Sequence, residues 1–316
     1  MITHMVLNTK LNFKQAILST FAFFDMFDYP LSREEVEEYL YKLPLDEHQI
    51  EIYLKNSPNL SYSDGLYCLK GNEEAFFKMQ ERRFLAKKYW KRIGKFRKIF
   101  NIIPFIRLVV VANNLAYDNP TKKSDIDLVV VTKPGRLFIA RTLLTFWTHL
   151  FGVRRHGEKI VGRFCLSFYL TEDNLNLESI AIEHDVYLAY WLKTLQPVCG
   201  DYQTYIDLID QNRKFLNGFF ETPINYQKRH YRANRGWVRA LRRFQEKLLT
   251  GKFGNRLESK LRIWQMDRMQ KKLESMTEKE SSEAAIIISD KILKFHNIDR
   301  REYYKKRWIK KVQEII

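Results

Sequence analysis

The segment RLVVVANNLAYDNPTKKSDIDLVVVT, from Arg107 to Thr132, constrains the fold most. Two valine-rich runs flank a polar loop, and each run is short, apolar and β-branched, as a buried strand requires. The second run opens on Asp125 and Asp127 with Ile126 between them. Residues i and i+2 of a strand share a face, so the two carboxylates stand side by side while Ile126 turns into the core. Two carboxylates converging beside a polar loop suit a hard, oxygen-seeking cation such as magnesium. Taken without its surroundings, the pair also reads as an ordinary solvated strand entrance.

The flanking sequence divides into three parts and predicts an α+β chain. Residues 1–75 hold FKQAILSTFAFFDMF at helical spacing, then YPLSREEVEEYLYKL, where Ser32 and Glu35 form a capping box, then a helix from Asp46. NLSYSDGLYCLKG follows as two short strands around Asp64-Gly65, a hairpin signal. Three helices and a hairpin in that order describe a winged helix. Its third helix carries Asp46, Glu47 and Glu51 against Lys55, poor chemistry for phosphate contacts. The expectation is a structural or protein-contact role. Residues 76–195 read as a long basic helix ended by Pro104, the two strands above, a helix over 136–152, a strand GRFCLSFYL and a helix over 178–196: a small α/β sheet covered by helices. Residues 196–316 read as mostly helical, with Gly251 and Gly254 as a break and a short strand before the last helix.

Charge placement bears on partners. The formal net charge is +17, yet residues 78–107 hold eleven basic residues and one acidic, and residues 228–272 hold fifteen basic and three acidic. The rest of the chain is therefore slightly acidic. Two basic helices of this kind are either solvated faces or a surface for RNA, DNA or nucleotide phosphates. Cys68, Cys165 and Cys199 are scattered and odd in number, with no CxxC pair, which fits a reducing, cytoplasmic setting. No signal-peptide pattern and no membrane-length apolar run is expected. HExxH, GxSxG and Walker glycine loops are absent, leaving protease, serine-hydrolase and P-loop readings without support.

The order strand, short polar loop, Ser-Asp-Ile-Asp, strand resembles the DNA polymerase beta-like nucleotidyltransferase superfamily. The whole chain looks like an uncharacterised prokaryotic group joining an N-terminal winged helix (FFDMFDYPLSREEV, DGLYCLKG) to a nucleotidyltransferase-like domain and a helical tail (LKFHNIDRREYY). The resemblance implies that Asp125 and Asp127 hold magnesium and that a nucleoside triphosphate donates its nucleotidyl group to an acceptor. It departs from the family in two places. Asn113 and Asn114 stand where members carry Gly-Ser; asparagine tolerates a left-handed backbone, and its amide can still donate to phosphate. The strand RFCLSFYL lacks the third acid of active members, and Ser167 is expected in the facing position. Ser124, Arg136 and Arg141 are further candidates for nucleotide binding, with Arg154, Arg155 and His156 in a loop behind them. His296 reads as a packed or capping residue. The alternative to an enzyme is a fold that has lost catalysis and serves as a nucleotide- or nucleic-acid-binding or regulatory module.

Overall fold

The computed structural model describes residues 11–44, 46–233, 236–277, 285–296 and 298–316. The chain is mixed α+β with two sheets. Helix α1 (Phe13–Asp25) starts on a capping box between Asn12 and Gln15. Strand β1 (Leu31–Ser32) runs into α2 (Arg33–Tyr39), which begins on the expected Ser32–Glu35 box. Asp46 caps α3 (Glu47–Asn56). In the hairpin β2 (Leu60–Ser63) and β3 (Leu66–Leu69), Asp64 and Gly65 both have positive φ, the turn whose twist matches the strands it joins. Strand β1 adds to β3, giving a three-stranded sheet in the order β1-β3-β2.

The second sheet has six strands. They are β4 (Ile106–Val111), β5 (Ile126–Thr132), β6 (Phe164–Thr171), β7 (Gln196–Gly200), β8 (Ala285–Ile288) and β9 (Ile292–His296), in the order β7-β4-β5-β6-β9-β8. Among the described strands only β5 and β6 run parallel, which requires a crossover; helix α5 (Leu137–Leu150) lies in it. Strand alternation splits the core in two. Val109, Val111, Ile126, Leu128 and Val130 face α5 and the long basic helix α4 (Glu74–Ile102). Leu108, Val110, Val129 and Val131 face the other way, towards α1 and α6 (Val186–Thr194). The last helix, α11 (Arg301–Ile315), packs against α1: Trp308 is fully buried and its Nε1 donates to the Ser19 carbonyl at 2.9 Å. Phe23 of α1 stacks on Tyr190 of α6 with centroids 3.9 Å apart.

Several expected boundaries move. The helix read over 178–196 is a 3-10 turn at Glu178–Ile180 followed by α6, because the buried Asp185 carboxylate accepts from Leu188 N and caps a new helix start. The residues after it form a strand, β7, which suits Pro197 better than a helix interior does. With β8 and β9, the six-stranded sheet takes strands from both sides of residue 195. Two short helices, α7 (Tyr202–Gln211) and α8 (Arg213–Asn217), follow β7. Helix α9 (Gly236–Leu248) packs beside α4, and α10 (Gly251–Glu274) beside α5. The expected glycine break lies between α9 and α10: Gly251 has φ +80, and a Cβ on Gly254 would fall 1.6 Å from the Leu249 carbonyl oxygen. Among the described residues no helix is long and apolar enough to cross a membrane.

Candidate metal centre and its cleft

Asp125 and Asp127 stand at the entrance of β5, as period two requires, with Ile126 fully buried behind them. The parallel register places Cys165 of β6 directly opposite Asp127. One ligand atom from each of Asp125, Asp127 and Cys165 lies within 4.8 Å of the others. This corrects the expectation for Ser167. A register shift between Asp127 and Val129 offsets the two strands, so the facing position falls on Cys165, whose thiol donates to Ser167 Oγ at 3.3 Å.

Each carboxylate already has a protein partner. Arg155 Nη1 donates to Asp125 Oδ2 at 2.7 Å and lies 3.7 Å from the Cys165 sulfur. Asn113 Nδ2 donates to Asp127 Oδ2 at 2.8 Å. Asn113 has φ 57, the left-handed conformation anticipated for a residue in a glycine position. Its Oδ1 accepts from the Tyr187 hydroxyl at 3.3 Å. Burial, and next the charge of Asp125, push the Asp127 carboxyl up to about 6. Burial and then the two aspartates push the Cys165 thiol up to about 12. At neutral pH the Asp127 carboxyl is therefore mostly ionised and the Cys165 thiol uncharged.

The pair opens into a cleft of about 1350 Å³ at the end of the sheet where β5 and β6 begin. Eight lysines and arginines line it against three aspartates. The walls are thus strongly cationic while the carboxylates gather at one point, an arrangement that suits an anion bridged to a cation. Arg154, Arg155 and His156 all reach the lining. Arg141 lies over the Tyr169 and Phe295 rings and donates through Nη1 to Gln265 Oε1.

Three sequence candidates stand elsewhere. Asn114 turns from the cleft and accepts from the Tyr117 hydroxyl at 2.8 Å. Ser124 Oγ accepts from Thr121 N at 2.9 Å and shapes the turn before β5. Arg136 sits past the far end of β5, a strand about 20 Å long, and donates to Asn255 at 2.5 Å. The start of α5 there is occupied as well: Glu258 accepts from the Phe138 and Ile139 amides at 2.9 and 2.8 Å. A carboxylate already fills the place an anion would take at that helix end. His296 ends β9, and its side chain lies outside the described part of the structure.

The sequence reading passed over Tyr187, Lys294 and Arg301, all in the lining. Arg301 is held by Asp185 at 3.2 Å and Asp299 at 2.5 Å. Only Lys294 left a local trace, a cation between two apolar residues in the strand ILKFH. No family model, curated protein or solved structure matches the chain.

Proposed function

We propose that the chain is a nucleotidyltransferase-like protein that binds a nucleoside triphosphate with magnesium and transfers its nucleotidyl group to an acceptor, with pyrophosphate leaving. The observation that carries this reading is the convergence of Asp125 and Asp127 within one cluster at a cationic cleft. The donor set suits a hard cation. Two oxygen ligands with substrate phosphates are its usual protein contacts, and burial, with the charge of Asp125 next, already raises Asp127. The uncharged Cys165 thiol is not a ligand for such an ion. Bound magnesium would neutralise charge on the phosphates during in-line displacement.

The side chains have separate tasks in this reading. Asn113 fixes the rotamer of Asp127 and keeps the loop in its left-handed turn. Arg155 holds Asp125 in place and brings a cation to the mouth of the site. Arg154 and Arg268, with no carboxylate partner among the described residues, line the cleft on the β9 side of the aspartates and add to its positive field. The exposed lysines of α4, with α9 packed beside them, offer one surface to a nucleic acid, and the winged-helix-like N-terminal part offers a surface to a protein.

A binding module without turnover is the second reading. It is favoured by one feature, a thiol where active relatives of such a fold place an acid. Calorimetric titration of ATP and of each other triphosphate, with and without magnesium, tests the first reading. Wild type should bind in a magnesium-dependent way, and the Asp125→Ala plus Asp127→Ala protein should not. Absence of magnesium-dependent binding for every triphosphate would falsify it. Binding without pyrophosphate release across a panel of acceptors selects the second reading.

A further inference from the structure

Lys294 is 5% exposed, stands in the middle of β9 and lines the cleft. No hydrogen bond or ion pair to its ammonium occurs among the described residues. The stem is buried while the ammonium is not among the sealed, unpartnered polar atoms and faces the cleft; a partly desolvated ammonium is costly without an anion beside it. Its neighbours relieve it only in part. Arg301 adds like charge, and the nearby Asp299 and Asp185, which favour the ammonium, are both ion-paired to Arg301. Burial moves the Lys294 ammonium down to about 8, so it is still mostly charged at neutral pH.

Its position relative to the aspartates follows from register. Val129 pairs with Phe168, and Phe168 pairs with Lys294. Paired residues share a face, and Asp127 shares the face of Val129. Asp127, Cys165 and Lys294 therefore stand on one face of three adjacent strands. Two strand spacings and two residues of rise separate the Cα atoms of Asp127 and Lys294, about 12 Å. Asn113, at the end of β4, lies on the opposite side of the aspartates. The order across the face is Asn113, the acidic pair, Cys165, Lys294. A ligand on the Asn113 side and a ligand on the Lys294 side would meet at the aspartates.

We propose that Lys294 anchors an anionic group, a phosphate or a carboxylate, carried by the acceptor substrate, with the nucleotide held on the Asn113 side. The assignment to the acceptor rests on the nucleotidyltransferase reading; the anion site itself does not. The acceptor class is thus a hydroxyl or amine compound that also bears a negative charge. Its charged end reaches β9 and its nucleophile reaches the acidic pair.

Inorganic phosphate and acetate, each titrated into the full chain without magnesium, test the site. At least one should bind wild type, and which one identifies the group. Affinity should fall at least tenfold in Lys294→Met and recover in part in Lys294→Arg. Equal binding by wild type and Lys294→Met, or binding of neither anion, overturns the site. Should Lys294→Met fail to fold, acylation of Lys294 in wild type is followed by mass spectrometry: the bound anion should slow it, and no protection overturns the site. Magnesium-ATP then separates the two claims. Retained ATP affinity in Lys294→Met supports the acceptor assignment, and lost ATP affinity overturns it by placing the nucleotide's phosphates on Lys294. If wild type binds phosphate through Lys294 but no triphosphate, the nucleotidyltransferase reading fails and the anion site stands.

Discussion

Asp127 and Cys165 face one another across the parallel pair β5 and β6, carboxylate and thiol within one cluster 4.8 Å wide. The thiol occupies the place where a third carboxylate would complete an acidic triad. Cys165→Asp should therefore raise affinity for magnesium or manganese about tenfold or more, since each added carboxylate supplies a charged oxygen ligand. Manganese titration followed by electron paramagnetic resonance measures this directly. Unchanged affinity in a folded variant would remove Cys165 from the site.

Proton binding at Asp127 gives a second expectation. Burial and then the charge of Asp125 push its folded carboxyl up to about 6, above the ordinary aspartate range, so the native state binds the proton more tightly than the unfolded state. The ionised group costs stability above about pH 6; the cost fades as pH falls through that value and is gone below the unfolded pKa. Asp127→Asn should stabilise the protein at pH 7.5 by on the order of 1–2 kcal/mol. By pH 4 the variant and wild type should melt together. Metal affinity should run the other way and fall as pH drops from 7 to 5, because the proton competes for the same oxygen. A metal affinity flat across that range contradicts the assignment.

Arg155 competes with any cation for Asp125. The ion pair is 2.7 Å long and partly exposed, so it is weak as a contribution to stability. Arg155→Gln should change the melting temperature little, strengthen divalent-ion binding several-fold and weaken triphosphate binding. Opposite shifts in the two titrations are diagnostic; a parallel loss of both points to collapse of the loop.

The basic surface predicts salt dependence. Lys87, Lys88, Lys91 and Lys95 of α4 are exposed. If they hold nucleic acid, affinity should drop steeply with salt, and changing three of them to glutamate should flatten the slope by roughly three. Not every cation in the segment is available. Arg82 is spent on the Phe27 carbonyl and Asp28, and Arg107 on Glu246; these hold elements together. A slope that does not respond to the charge reversals locates binding elsewhere.

The parts of this site written locally were legible in the sequence. Asp125, Ile126 and Asp127 obey a period of two that no distant contact can alter, and Asn113 takes the backbone conformation its residue type permits. The caps at Ser32 and Asp46 lie within four residues of their partners. Cys165 was missed for a different reason. The crossover between β5 and β6 spans residues 133–163, and the partner of Asp127 depends on a register shift that neither strand announces. Strand β7 carries Pro197 and Gly200 and lacks a β-branched run, so it did not read as a strand. Lys294 was passed over because only its pairing with Phe168 places it on the aspartates' face. Nothing within ILKFH encodes that pairing.

Trp308 has a further consequence, in the order in which the chain is made. Its indole closes the interior around Ser19, on a helix finished some 280 residues earlier. While the protein is being synthesised, that helix keeps an unfilled face until α11 has been made. Its core can be completed only when α11 leaves the ribosome. Trp308→Ala, which should cost about 3–5 kcal/mol in denaturant unfolding, would leave the finished protein with the same gap that the nascent chain carries.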